Sequence, residues 1–376
     1  MKIATITCHD VYNYGASLQA YALQTYCRSL GADYEIIDYK PPYLSNHFRL
    51  DAVANDVFDK PLIKQLYLLA KLPGRLIQLK KKRTFDAFTS QFLNRSDQRY
   101  SSVDELKKDC PQADLYIAGS DQIWNTFFSN GRDAAFYLDF VGNRGRKISY
   151  AASFATDRIF NNAETFVAKQ LRNFDAISVR ESSANDLLCT LGHASGTLVA
   201  DPVFLLNATQ WTQLSSSCKK IAEDYILVYD CERSKRLRDL CLHLKHATGL
   251  PIYTLSATYG HYADKDFSLD GPLEFINLMA NARYVIANSF HATAFSLIFH
   301  KDFFIVNRSE AINTRMRDFL QYLGLNSRLI SDKAEINTQT IDYTNVTPKL
   351  DALIQDSKHF LKTQISSCHT ANPAYS

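Results

Sequence analysis

The stretch Tyr284–Leu297, YVIANSFHATAFSL, leaves few folds open to this chain. A run of four apolar residues, Tyr284 to Ala287, stops at the polar pair Asn288 and Ser289. Ala294, Phe295, Leu297 and Ile298 then follow at helical intervals. A continuous apolar run that gives way to a 3.6-residue period marks a strand-to-helix unit in a parallel sheet covered on both faces. Such a unit cannot stand alone, so the chain must be a layered α/β protein. The same pattern puts His291 just past the carboxyl end of a strand. Open α/β sheets bind ligands in that crevice, and an imidazole there can exchange protons near neutral pH. The plainer alternative is a helix-start histidine whose ring is satisfied by backbone.

The rest of the chain repeats the alternation. Ile3–Thr7 reads as a strand and Ala16–Leu30 as a helix, with Leu18, Ala22 and Tyr26 on one stripe and Gly31 as its stop. Glu35–Tyr39 is a second strand, closed by Pro41 and Pro42. Strands are expected again at Leu115–Ala118, Lys147–Ala151 and Ala176–Val179, the last two as inner strands of the first sheet, and at Thr197–Ala200. A second set follows: strands Tyr225–Tyr229 and Ile252–Leu255, helices Ser234–His246 and Leu273–Ala282, the opening unit, and strand Phe303–Asn307. Strand and helix alternate throughout, which predicts two Rossmann-like domains with parallel sheets facing each other across a cleft. We place them at residues 1–206 and 207–340, followed by a C-terminal segment, 341–376, with an amphipathic helix Thr347–Ile365 and a loose tail. A helical excursion interrupts the first domain at about 46–110, with Leu62, Leu66, Leu69 and Leu76 at helical intervals. With 376 residues, 46% of them hydrophobic, the chain can bury two cores.

Several loops carry candidate chemistry. In HDVYNYGAS, Asn13, Tyr14 and Gly15 are candidate substrate contacts: Asn13 and Gly15 can turn the backbone tightly, and Ser17 can help cap the helix. The spacing is not the GxGxxG of a dinucleotide fold. In GSDQIWN, Ser120, Asp121 and Gln122 offer hydrogen bonds, and Trp124 offers either a platform for a sugar or a core residue. Arg180, at a strand end, presents a fork of donors suited to carboxylate or phosphate; otherwise it pairs with Glu181 or Asp201. Lys80, Lys81, Lys82 and Arg83 form a run that reads as a solvated helix face, or as a contact with an anionic membrane surface or acidic glycan.

Other classes are disfavoured. A net charge of +3 is too small to argue for nucleic acid. Eight dispersed cysteines without a CxxC pair read as reduced thiols, and Cys8, His9 and Asp10 on an extended chain cannot converge on a metal. Neither a cationic leader nor an apolar run long enough to span a bilayer is visible, so a cytoplasmic protein is expected.

The ordered segments NYGASLQAYALQ (13–24), AGSDQIWN (118–125), ISYAASFA (148–155), ISVRE (177–181), DPVFLL (201–206) and NARYVIANSFHATAFSLIF (281–299) resemble the motifs of the polysaccharide pyruvyl transferase family, in family order. The resemblance implies a GT-B-like fold. It also implies phosphoenolpyruvate as co-substrate, with no cofactor or metal, and a cell-surface glycan or its lipid-linked precursor as acceptor, joined through a pyruvate ketal. Arg180 and His291 match the family's phosphoenolpyruvate-site residues, with Ser289 as a phosphate contact. A further basic residue is expected downstream, among Lys301, Arg308 and Arg315, with Arg308 taken as the substrate-binding one. Ala292 stands where the family often has glycine. Two rival readings are a GT-B glycosyltransferase using a nucleotide sugar, with Glu274 as its ribose partner, and a non-catalytic glycan-binding protein.

Overall fold

The computed structural model describes residues 1–44, 61–256, 262–308, 312–330 and 339–370. The first part of the excursion, residues 46–60, the side chains of Leu62 and Leu66, and residues 371–376 of the tail that sequence places at 366–376 lie outside the described residues.

The first half runs β1 Lys2–Ile6, α1 Tyr14–Ser29, β2 Asp33–Tyr39, α2 Pro61–Phe92, β3 Arg95–Tyr100, α3 Val103–Lys108, β4 Leu115–Ala118 and β5 Arg146–Ser149. It continues through α4 Glu164–Leu171, β6 Ser178–Val179, α5 Ser183–Thr190, β7 Thr197–Leu198 and α6 Ala208–Leu214. The second half runs β8 Ile226–Tyr229, α7 Lys235–Thr248, β9 Ile252–Thr254, β10 Lys265–Asp266, α8 Pro272–Asn281, β11 Tyr284–Ala287 and α9 Phe290–Ile298. β12 Asp302–Val306, α10 Thr314–Leu323, β13 Leu329–Ile330 and α11 Tyr343–Thr370 complete it.

Two parallel sheets result, in orders β3-β2-β1-β4-β5 and β10-β9-β8-β11-β12-β13. The second sheet repeats the order of the first and adds one strand. In each, the direction of winding reverses between the first and fourth strands in chain order, β1 and β4 or β8 and β11. A crevice opens there beyond the carboxyl ends. β1, β4, β8, β11 and β12 are buried along almost their whole length, which is why they read as unbroken apolar runs.

The halves share one apolar cluster. Tyr14 of α1 stacks on Phe275 of α8, centroids 4.9 Å apart, and its hydroxyl donates to the carbonyl of Asp270 at 3.1 Å. α11 returns to the first half, where the Ser357 hydroxyl accepts from the Ala200 amide and Gln364 accepts from Arg146, both at 2.8 Å.

Four expectations need correction. Neither β5 nor β6 is an inner strand of the first sheet: β5 is its last strand, and β6 pairs with β7 in a two-stranded sheet of its own, joined to the β5 end by isolated bridges. The excursion contains a strand, β3, whose polar sequence RSDQRY suits a sheet edge and shows no apolar period. Ser17 does not cap α1, because Asn13 is the N-cap and accepts from the Ala16 amide. Trp124 is no platform: it is fully buried, stacked on Tyr137 at 5.6 Å, and donates to the Phe136 carbonyl.

Candidate functional site

The two switch-point crevices face each other, and a narrow polar cavity of about 70 Å³ lies between them. From the first half, Asn13 follows β1 while Asp121 and Gln122 follow β4. From the second, Cys231 follows β8, Asn288, Ser289 and His291 follow β11, and Arg308, Arg315 and Met316 follow β12.

The β11–α9 turn is fixed from below. Asn288, fully buried, donates from Nδ2 to Asp230 at 2.9 Å and accepts from the Cys231 amide at 2.8 Å, tying the ends of β11 and β8 together. Ser289 is the N-cap of α9 by backbone position, but its hydroxyl does not cap the helix. The first-turn amides of α9 therefore lack that side-chain partner at the cavity wall. His291, in that first turn, is buried apart from its cavity edge. A Cβ on Gly15 would come within 1.9 Å of His291 Nδ1, so only glycine lets the start of α1 approach the imidazole.

Beneath the cavity lies a buried charge network centred on Asp201, whose carboxylate is fully enclosed. Oδ2 accepts from Arg180 Nη1 and, at 3.0 Å, from the Ser120 hydroxyl, and lies 3.5 Å from His291 Nε2. Oδ1 accepts from the Val203 amide at 3.1 Å. Burial pushes this carboxyl up, but His291, Arg180 and the Val203 amide outweigh burial and hold it well below the ordinary carboxylate range. Neighbouring Glu181 shows the opposite balance. Burial raises its pKa despite Arg180 and Arg315 nearby and hydrogen bonds from the Ala155 amide and Ser153 hydroxyl.

Asp121 takes a left-handed φ of 76°, an unusual and costly conformation for a side chain with a Cβ. It sets the carboxylate between two guanidiniums, 3.9 Å from Arg180 Nη2 and 3.7 Å from Arg315 Nη1. Arg315 is 6% exposed, and burial together with the nearby Arg180 charge lowers its pKa to about 10. Its helix is held in place by Asp318, which accepts from the Ser183 amide at 2.9 Å and the Ser182 hydroxyl at 3.2 Å. Arg180 Nε and Nη2 and Arg315 Nε are buried and have no hydrogen-bond partner. Two cations sharing one small region with idle donors make an electrostatic trap for an anion.

The sequence-based expectations divide. Asn13, Asp121, Ser289, His291 and Arg308 all line the cavity. Arg180 and Ser120 lie below it in the Asp201 network, the pairing that sequence offered as the alternative for Arg180. Tyr14 packs between the halves and Gly15 makes room for His291, so neither offers a side chain to a substrate. Of the three downstream basic residues, Arg308 and Arg315 both reach the cavity and Lys301 does not. Arg308 Nε donates to Glu232 at 2.7 Å. Glu274 sits elsewhere, in an apolar hollow between α2 and α8. Asp201 was missed as a site residue, for its contacts with Ser120 and His291 span 81 and 90 positions and no local pattern reports them. Among the described residues no group of three or more His, Cys, Asp or Glu side chains could hold a metal ion.

The family model of the polysaccharide pyruvyl transferases matches residues 13–310. Among solved structures, a Listeria monocytogenes protein provisionally described as a UDP-N-acetylglucosamine 2-epimerase superimposes with a TM-score of 0.53 at 9% identity. The match covers 97% of this chain and 96% of that one. UDP-GlcNAc 2-epimerase from Neisseria meningitidis bound to UDP-GlcNAc gives 0.52 at 9% identity, over 97% and 100%. The S. aureus MnaA-UDP co-structure gives 0.50 at 12% identity, over 95% and 90%. These are GT-B proteins, and at such identities the likeness is one of fold. Comparison with curated proteins finds no match.

Proposed function

Because the chain belongs to the polysaccharide pyruvyl transferase family, we propose that it moves the pyruvyl group of phosphoenolpyruvate onto two hydroxyls of one acceptor sugar, forming a ketal and releasing phosphate. The observation that carries this reading is the pair of buried arginines, Arg180 and Arg315, with three unpartnered guanidinium nitrogens beside His291. Phosphoenolpyruvate brings a carboxylate and a phosphate, and needs two such anchors next to a proton-transfer group. Arg315 and Arg308, with the Ser289 hydroxyl and the first-turn amides of α9, hold the phosphate. Arg180 supports the carboxylate side from beneath, and Asn13 and Gln122 face the acceptor.

The reaction balances without a redox partner. A proton is added to the methylene carbon, making it a methyl group, and the cation developing at the central carbon is stabilised by its own oxygen. One sugar hydroxyl attacks that carbon. The C–O bond to phosphate then breaks, and the second hydroxyl closes the ketal. Of the two hydroxyl protons, one ends on the methyl group and one leaves with phosphate. His291 Nε2 is buried 3.5 Å from Asp201, and Nδ1 is the nitrogen we assign to proton transfer. The buried Asp201 carboxylate orients the ring. Catalysis in this scheme uses no metal or organic cofactor.

The test is phosphate release from phosphoenolpyruvate in the presence of a panel of cell-surface oligosaccharides, for the parent, His291→Ala and Arg315→Ala. Acceptor-dependent release that both substitutions abolish is the expected result. Thermal stabilisation by UDP-sugars but not by phosphoenolpyruvate, with no phosphate released, would overturn it.

A further inference from the structure

Helix α2 has two unlike parts. Toward its carboxyl end Phe85, Phe88 and Thr89 are buried, and Phe92 packs edge-on against Tyr21. From Lys64 to Lys80 no described side chain is buried, and Leu69, Leu76 and Ile77 are 67%, 51% and 57% exposed. At helical spacing Leu69, Leu72, Leu76 and Leu79 share one stripe, on the side opposite Phe85 and Phe88. The helix therefore turns one apolar face to the core and, further along, a second one outward.

Charge says what the outward face is suited to meet. Residues 61–85 contain Lys64, Lys71, Arg75, Lys80, Lys81, Lys82 and Arg83, seven cations and no acid. Counting back to residue 45 gives nine cations against three acids. The whole chain has 42 Lys and Arg against 39 Asp and Glu, so outside 61–85 acids outnumber bases, 39 to 35. The positive surplus of the molecule is thus concentrated on this one helix. Part of the Lys80–Arg83 run is used locally: Lys81 lies over the rings of Tyr14 and Phe85, Lys82 pairs with Asp86, and Lys80 pairs with Asp270 while remaining largely exposed. Pairing this face with a second copy of itself would bring two such cation clusters together. An anionic surface would complement them. Among the described residues no helix is long and apolar enough to cross a membrane.

We propose that residues 64–83 of α2 lie along the surface of an anionic lipid bilayer. Leu69 and Leu76 enter the boundary between headgroups and acyl chains, with exposed Ile77 at the flank of the face, while Lys71, Lys80 and Arg83 face lipid phosphates. The binding is peripheral and reversible, and it does not depend on which reaction the cleft performs. The test is flotation of the full chain with phosphatidylcholine vesicles and with vesicles that also contain phosphatidylglycerol. Binding is expected only to the second kind, weakening as salt is raised. The triple variant Leu69→Ser/Leu76→Ser/Ile77→Ser and the triple variant Lys71→Glu/Lys80→Glu/Arg83→Glu should each lower the partition coefficient by about tenfold or more while melting like the parent. All six positions are exposed; because Lys80 pairs with Asp270, the melting temperature of the charge variant is measured alongside its binding. Absence of parent binding to the anionic vesicles overturns the proposal, as does binding that ignores both variants. A dimer in sedimentation that the leucine variant dissociates, without vesicle binding, assigns the face to a second copy instead.

Discussion

The two halves build the same winding order, yet they bring opposite chemistry to the cleft. The carboxylates at its centre, Asp121 and Asp201, belong to the first half. The imidazole and the cavity-facing guanidiniums, His291, Arg308 and Arg315, belong to the second. The contacts across the cleft pair them, His291 with Asp201 and Arg315 with Asp121. Arg180 is the exception, a first-half cation anchored to a first-half acid. Both acids are paired with cations and Asp201 is fully buried; the second-half groups face the space where a ligand would sit. On this comparison, loss of the first-half acids should show as lost stability and loss of the second-half groups as lost rate.

The sharpest way to break that division is His291→Ala, expected to lower acceptor-dependent phosphate release by about a hundred- to ten-thousand-fold. Its melting temperature should stay near that of the parent; a protein that instead unfolds would place His291 with the structural residues. Asp201→Asn removes the charge that compensates buried Arg180, a loss expected to cost about 3–5 kcal/mol in urea unfolding. A change of under about 1 kcal/mol would show that the network does not hold the first half together. Gly15→Ala drives a methyl group into the imidazole edge, and displacement of that order should cost about a hundredfold in kcat. The double variant Gly15→Ala/His291→Ala should then be no slower than His291→Ala alone, since both act through one ring.

The smallest effect is one of pH. Burial raises the Asp38 carboxyl, but the hydrogen bond and charge of His9, together with Arg99, bring it down to about 2. A carboxyl held lower in the folded state than in the unfolded chain adds stability that is fully present above the unfolded value near 4. That stability drains away as pH falls through the folded value. Melting temperature should therefore decline between about pH 4 and pH 2. Asp38→Asn should start lower at neutral pH and decline less.

What could be read from sequence follows the same division. β4 and β11 were legible to the residue, because strands covered on both faces must be unbroken apolar runs. His291 and Ser289 came with them, since a strand end fixes where the next few residues must lie. Arg180 was legible as a residue of the right type at a strand end, but not its burial. Sequence offers Asp201, 21 positions away, as one of two alternative partners, but periodicity carries no information that chooses between a paired arginine and a ligand-facing one. Arg315 stayed ambiguous because the segment between β12 and α10 has no pattern that sets its register. β3 was invisible for a related reason: an edge strand made of RSDQRY has no apolar face to announce it.

The cavity draws its walls from both sheets, which bears on how the molecule comes apart. A ligand that touches Asn13 on one side and Arg315 on the other binds only when the halves are docked, so its binding energy is shared by both. At a hundred times its dissociation constant such a ligand adds about 2.7 kcal/mol to the cost of separating them. Calorimetry without ligand could then show two overlapping transitions, and saturation should merge them into a single, later one. The small molecule in the cleft would act as a removable cross-link, setting the cooperativity of the whole chain.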